Sequence, residues 1–390
     1  MKYGALVCEY NPFHNGHQYQ IEKIKNISDN APLIAIMSGN FVQRGGVAVI
    51  DKYDRAKLAL LAGVDLVVQL PFIFSAQRAE TFSFGSMGIV DALGCSEVYF
   101  GCEYEDVGLY KYLADILNDE SVEFKQILSK FLNSNVSYPK ARILALSELT
   151  GRDCSFLETP NNILSLEYIR KLKKQNSKVD INMLSRVTEY KGREVISASK
   201  IRERNFKDEK IQDYIPREKY DKEHSFRSIE EYKDIIRAKL EFSSAKEFAE
   251  VIDCEIGLAN RMKNYCGELK DSVDSYLSAV CTKTHTKAKI RRILINSILN
   301  LRYSTFECEL REIEPNYVRI LGANEVGKSL VKYINNNCKI SLVPSVYKSY
   351  AELSEQDKKI ALIDDSAEKL YSFFDEHTPK DIKRSPVFIG

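Results

Sequence analysis

Four short apolar runs, separated by segments with helix-spaced apolar residues, occupy the first hundred positions, and this alternation constrains the fold more than any other feature of the chain. Residues 4–8, 32–37, 65–70 and 97–100 read as strands, the third stopped by Pro71 and the fourth ending at Gly101. Residues 51–62 and 77–93 carry apolar side chains at helical spacing, with Asp51 placed to cap the first. Strands alternating with helices specify βαβ units, and so an α/β domain around a parallel sheet.

A chain of 390 residues exceeds one simple core. Residues 109–174 turn helical, 179–184 return to a strand, and 197–204 form a short helix behind a serine. Residues 206–227 are charged and poor in aliphatics, which predicts a linker. A helical domain is expected over 228–305. A small α/β C-terminal unit follows over 306–390, with an apolar run at 317–321, a helix near 325–334 and a strand at 339–343. The first domain then spans 1–205.

A content of 44% hydrophobic and 28% charged residues excludes wholesale disorder. No apolar run approaches the roughly 20 residues that span a bilayer, and the N-terminus lacks a signal-peptide core. Nine dispersed cysteines without a CxxC pair suit a reducing compartment, so the expectation is a cytoplasmic protein without a membrane partner. No Cys/His spacing fits a metal site, and none is expected. A net charge of +1 excludes nothing about nucleic acid, so charge distribution has to be read instead.

Directly after the first strand stands Glu9-Tyr10-Asn11-Pro12-Phe13-His14-Asn15-Gly16-His17, which places two of only five histidines in one four-residue window before a helical pattern. A helix N-terminus offers N–H groups and a positive dipole end, which attract phosphate. Gly16 permits close approach, and two imidazoles about one turn apart can donate to a phosphate as charge builds in a transition state. The competing readings are a metal pair or a chance HxxH on a loop. Downstream, Ile196-Ser197-Ala198-Ser199-Lys200-Ile201-Arg202 sets hydroxyls at a helix start followed by two cations, a second phosphate-binding device. Alone, that segment reads equally as a capped basic surface helix.

HxGH near the N-terminus with a late ISxxxIR element resembles the nucleotidylyltransferase superfamily, relatives of class I aminoacyl-tRNA synthetases. The longer strings Val7-Cys8-Glu9-Tyr10-Asn11-Pro12-Phe13-His14-Asn15-Gly16-His17, Met37-Ser38-Gly39-Asn40-Phe41-Val42-Gln43-Arg44-Gly45, Phe100-Gly101-Cys102-Glu103 and Pro160-Asn161-Asn162-Ile163-Leu164-Ser165-Leu166-Glu167-Tyr168 resemble one family, the bacterial tRNA(Met) cytidine acetate ligases. The similarity covers most of the chain. It implies a Rossmann-like parallel-sheet nucleotidyltransferase domain, followed by the helical domain and the small α/β C-terminal unit. It also implies that acetate is activated with ATP, carrying Mg²⁺, to acetyl-adenylate, which then acetylates the exocyclic amine of the wobble cytidine of elongator tRNA(Met). Carried over, His14, His17, Lys200 and Arg202 are catalytic, and Ser197 and Ser199 hold phosphate with Lys200 and Arg202. ATP contacts are expected from residues 7–20, which add Gln18, Tyr19 and Gln20 to the strand and window above, and from Gly101, Asn162, Arg186 and Val187. Ala198 and Ser199 stand where the common ISSTxIR form has two further hydroxyl residues, which puts the detailed role of that loop in question.

Two anions must meet when a carboxylate attacks an α-phosphate, and Arg44, Lys52 or Arg55 are the cations near the strand ends that could hold acetate. Asn161 and Asn162 open a helix, where a capping role competes with a ligand role for Asn161. For RNA, Lys283, Lys287, Lys289, Arg291, Arg292 and Arg302 run without an intervening acid. Of these, Lys287, Lys289, Arg291 and Arg292 are the expected tRNA contacts, against the alternative of a basic bundle face. The tail 380–384 is a weaker candidate. Rival functions are a small-molecule adenylyltransferase making a dinucleotide-type cofactor, and a catalytically inactive RNA-binding protein on the same fold.

Overall fold

A computed structural model describes residues 1–134, 136–216, 226–374 and 384–390. Nine-residue stretches of the expected linker (217–225) and of the tail (375–383, including Lys380 to Lys383 of the basic tail) lie outside the described residues.

The apolar runs form β1 (Gly4–Cys8), β2 (Leu33–Ser38), β3 (Leu66–Leu70), β4 (Glu97–Cys102) and β5 (Asp180–Ser185). A two-stranded hairpin, β6 (Glu189–Tyr190) with β7 (Arg193–Glu194), follows. The strands β8 (Tyr317–Ala323), β9 (Ser341–Val343) and β10 (Val387–Phe388) come from the C-terminal region. Strands β1 to β5 pair in parallel in the order β3-β2-β1-β4-β5.

Alternate side chains enter two cores, as expected of parallel strands covered on both faces. Ala5, Ile34, Ile36, Leu66 and Val68 join helices Ala79–Ala92, Val107–Asn118 and Pro160–Lys174 on one face. Leu6, Ala35, Met37 and Val67 join helices Asn15–Ile27 and Lys52–Leu61 on the other. Chain order reverses between β1 and β4, and in open α/β sheets the crevice beyond the strand ends at such a switch is where ligands bind.

The helical region spans Lys233–Phe242 to Lys287–Ile298. Strand β8 of the C-terminal region runs antiparallel to β3 in the same sheet, with β10 parallel at its other side. Helix Glu355–Tyr371 also packs on the first domain: Glu368 pairs with buried Lys52 at 2.8 Å, Asp364 accepts from the Phe72 N–H at 2.7 Å, and the Tyr371 hydroxyl donates to the Ala48 carbonyl. The described part of the C-terminal region therefore extends the first domain's sheet through β8 and β10 instead of packing apart from it. No helix among the described residues is long and apolar enough to cross a membrane.

Candidate active site

The turn after β1 is fixed from several sides before any histidine is reached. Tyr10 takes a left-handed φ of 49°, a conformation that costs a non-glycine residue of the order of 1 kcal/mol. Its ring is held edge-on between Phe13 and His17, each 4.9 Å away. The Asn11–Pro12 peptide is cis. Asn11 Oδ1 accepts from the Val49 N–H at 2.8 Å, and Glu9 Oε1 from the Gln43 N–H at 2.9 Å. Arg55 is fully buried and donates to the carbonyls of Glu9, Ser38, Gly39 and Ile50 and to Asn40 Oδ1. Burial draws its pKa down.

His14 caps helix Asn15–Ile27. Its Nδ1 accepts from the Gly16 N–H at 3.0 Å, while the His14 N–H donates to His17 Nδ1 at 3.2 Å. The rings stack at 3.7 Å with a 20° interplanar angle. Burial, aided by the Arg186 and Arg202 charges, pushes the His14 pKa down to about 3. Burial, with His14 and Arg186, holds His17 well below the usual range. Both rings are therefore neutral. With each Nδ1 already accepting, the proton of each ring sits on Nε2, leaving two preorganised N–H donors.

The helix N-terminus differs from the expectation of free N–H groups. Asn15 N–H donates to the Tyr214 carbonyl at 3.0 Å, Asn15 Nδ2 to the Asp213 carbonyl at 2.8 Å, and Gly16 N–H to His14. An anion at this helix end would thus meet side chains more than free backbone N–H groups. Residues Ile211 and Ile215, inside the segment expected to be a linker, pack with Ile196 and Ile201 and bring those carbonyls to the site.

Ser197 caps helix Ala198–Phe206 by accepting from the Lys200 N–H at 3.3 Å. Arg202 joins the two motifs: Nη1 donates to the Asn11 carbonyl and Nη2 to Ser199 Oγ at 3.0 Å. Lys200 is exposed on the first turn. Arg186, half-exposed after β5, pairs with Glu103 at 3.3 Å and lies close enough to both histidines to lower their pKa values. Val187, next to it, is partly buried. The buried Asn162 Oδ1 accepts from the Glu103 and Tyr104 N–H groups and its Nδ2 donates to the Phe156 carbonyl, so it braces the loop after β4. Gln20 faces Gly101, and Tyr19 sits edge-on to Tyr190. A cavity of about 370 Å³, lined by Asn15, Gln18, Glu22, Tyr190, Lys191, Arg193 and Pro216, flanks the helix.

Sequence reasoning gave no role to Glu103, which accepts from Thr159, Asn161 and Arg186 and orders the mouth between β4 and β5. Its signals were an acid two residues past Gly101 and its place in the Phe100-Gly101-Cys102-Glu103 string. Of the three acetate cations considered, Lys52 is fully buried against Glu368 and Gln69, and Arg55 binds carbonyls, whereas Arg44 is exposed. The basic stripe divides. Lys287 pairs with Asp274 at 2.9 Å and stays partly exposed, Lys289 Nζ lies 3.5 Å from His285 Nδ1, and Arg292 is buried on Asp253 at 3.2 Å. Arg291 lies near Arg44 and Arg202.

Chemically, the arrangement holds two neutral donors, serine hydroxyls and several guanidinium groups around one crevice, which suits a polyphosphate undergoing attack at phosphorus. Among the described residues, no group of three or more His, Cys, Asp or Glu could hold a metal ion.

The model of the HIGH Nucleotidyl Transferase family matches residues 1–385. The chain is 34% identical over 370 residues to the tRNA(Met) cytidine acetate ligase of Thermoanaerobacter pseudethanolicus, covering 90% of each. Thermotoga maritima TmcAL in an apo crystal form superimposes with a TM-score of 0.92 at 29% identity, over all of both chains. The same protein bound with alpha-thio ATP gives 0.91, again at 29% and over all of both chains.

Proposed function

This chain belongs to the HIGH nucleotidyl transferase family, and from that premise we propose that it is an ATP-dependent tRNA(Met) cytidine acetate ligase, the name its relatives carry. The observation that supports this most is the bridge made by Arg202, which ties the ISxxxIR element to the turn holding the neutral His14–His17 pair. Both motifs thus act on one bound polyphosphate.

ATP would enter as its Mg²⁺ complex, the ion offsetting phosphate charge while needing few protein ligands. An acetate oxygen attacks the α-phosphorus, the bond from that phosphorus to the bridging oxygen breaks, and pyrophosphate leaves with the electron pair. The Nε2–H groups of His14 and His17 donate to the charge growing on the α-phosphoryl oxygens. Ser197, Ser199, Lys200 and Arg202 hold the departing pyrophosphate, while residues 7–20 with Gly101, Asn162, Arg186 and Val187 frame the nucleoside. In the second half-reaction, the exocyclic amine of the wobble cytidine of elongator tRNA(Met) attacks the acetyl carbon. The carbon–oxygen bond to AMP breaks and the nitrogen loses a proton. Lys287 and Lys289 meet RNA phosphates, in keeping with a cytoplasmic enzyme of tRNA modification.

Similarity across the helical and C-terminal regions favours the RNA ligase over a small-molecule adenylyltransferase, and retention of His14, His17, Lys200 and Arg202 disfavours an inactive RNA-binding protein. Incubation with ATP, labelled acetate and total tRNA, followed by digestion to nucleosides, tests the reading. Label in acetylated cytidine is expected. Label absent from RNA, with no acetate-dependent ATP turnover, would overturn it.

A further inference from the structure

Loop 41–47, after β2, is seated directly on the helical region. Gly45 has a φ of 70°, and a Cβ there would lie 2.5 Å from the Arg292 backbone nitrogen and 2.8 Å from the Arg291 carbonyl carbon. Only glycine meets both demands, so the loop and helix Lys287–Ile298 are locked together at Arg291. Arg44, one residue before, is thereby fixed beside Arg291.

The same loop receives Glu9 through the Gln43 N–H, and Glu9 leads into Asn11, whose carbonyl holds Arg202. Three arginines from three separate elements thus converge: Arg44 from the β2 loop, Arg202 from the ISxxxIR helix, and Arg291 from the helical region. Their mutual repulsion helps lower the pKa values of Arg202 and Arg291, after burial. Against these cations, and Arg292 beside Arg291, stand Glu9 at Arg202 and Asp274 at Arg291, the latter shared with Lys287. Arg291 is partly buried, and its Nε has no hydrogen-bond partner among the described residues. Its neighbour Arg292 also has an Nε without a partner among the described residues, but its charge is offset by Asp253 at 3.2 Å. Gathering like charges with an unused donor is unfavourable unless an anion enters among them.

We propose that Arg291, with Arg44, completes the Arg202 anion site and receives the β- and γ-phosphates of ATP, so that the helical region takes part in adenylate formation itself. This rests on the reading of ATP as substrate. In-line displacement sets the leaving pyrophosphate opposite the attacking acetate. Arg202 marks the pyrophosphate side, so its two companions belong there too, and Arg44 is removed from the candidates for acetate.

The test compares binding of ATP and AMP, by calorimetry without tRNA, to the wild-type chain and to Arg291→Ala, Arg291→Lys and Arg44→Ala. AMP lacks the two phosphates concerned. Wild type must bind ATP and support acetate-dependent ATP–pyrophosphate exchange, and failure there sinks the function and not this inference alone. For Arg291→Ala, the preference for ATP over AMP should fall by about ten- to a hundredfold, as expected for loss of charge-assisted bonds, with AMP affinity kept. Arg291→Lys should recover part of it. If Arg291→Ala unfolds at lower temperature, Arg44→Ala reads the same site from an exposed residue and should show the same selective loss. An unchanged ATP/AMP preference in the folded variants would overturn the proposal. So would equal loss of both ligands, which marks a structural role, or, in a parallel titration with tRNA, loss of tRNA affinity alone, which assigns Arg291 to RNA.

Discussion

Replacing Gly16 with alanine separates the chemistry of the site from the stability of the fold. Gly16 carries no left-handed φ, so its backbone accepts alanine, and in a helix that change is worth about 0.5–1 kcal/mol in favour of folding. The new Cβ, however, would stand 2.9 Å from His14 Cε1, 2.9 Å from Val195 Cγ1 and 3.1 Å from His14 Nδ1. Carbon–carbon contacts settle near 3.5–4.0 Å, so the His14 ring must shift by roughly half an ångström or more. It cannot shift freely, because it stacks on His17 at 3.7 Å. Displacement also weakens the bond from the Gly16 N–H to Nδ1, worth about 1 kcal/mol, which roughly cancels the helical gain. A misplaced transition-state donor costs about 10²-fold in rate. The expected result is near-wild-type urea unfolding together with acetate-dependent ATP–pyrophosphate exchange slowed about a hundredfold. Exchange within about threefold of wild type at unchanged stability would refute the assignment of His14 as a preorganised donor.

Three further outcomes follow from the same geometry. The folded state resists protonating His14 down to about pH 3, whereas the unfolded chain protonates near 6.5, so stability falls with acidification across that window by about 1.4 kcal/mol per pH unit. Urea unfolding free energies between pH 6.5 and 5 should show this, and His14→Gln should lower the slope by that share while His17, also held neutral by burial, keeps its own; equal slopes in both proteins would contradict it. Lys52→Met leaves Glu368 buried without its cation and should destabilise by about 3–5 kcal/mol, whereas Lys52→Met with Glu368→Leu should recover most of the loss in thermal unfolding. Lys287→Ala with Lys289→Ala should weaken tRNA binding and lower its log–log salt slope by about 0.7–0.9 for each RNA phosphate no longer neutralised, with tRNA-independent exchange unchanged; an unaltered slope would remove RNA from that face.

Strands β1 to β4 were legible because strands covered on both faces are nearly continuous apolar runs whose βα alternation has few solutions, whereas β5, at the sheet edge, shows only a mixed, half-exposed pattern. Residues 317–321 were also legible as an apolar run, but not their antiparallel place against β3, since side-chain period says nothing about a distant partner. The HNGH and SASKIR windows stood out because rare residue types sit at fixed spacing, and the structure joins them through Arg202. Hidden were the roles that depend on backbone carbonyls or distant acids. Arg55 looked like a ligand cation, yet it is consumed by four carbonyls of the turns it braces, and Lys52 answers to Glu368 near the other end of the sequence. The free helix N-terminus was a sound inference from helix geometry alone, and it failed because residues 213–214 fold back to accept from Asn15.

The cations of helix Lys287–Ile298 show why charge read along a sequence is a poor guide to its use. Lys287, Arg291 and Arg292 are equal in charge, but Asp274, Arg44 and Asp253 reach them from different elements and set three different electrostatic environments. A cation already paired at the surface exchanges partners with RNA phosphate at small net cost, because both states are solvated. A cation buried on its own acid is held there, since leaving would strand the acid. Only one gathered among like charges gains from admitting an anion, and that one lies beside Arg202 at the crevice. Lys287 and Arg291 stand four residues apart and so share one side of the helix, where Asp274 faces both; on the proposed reading, the lysine for RNA and the arginine for the nucleotide lie next to each other on one rigid element.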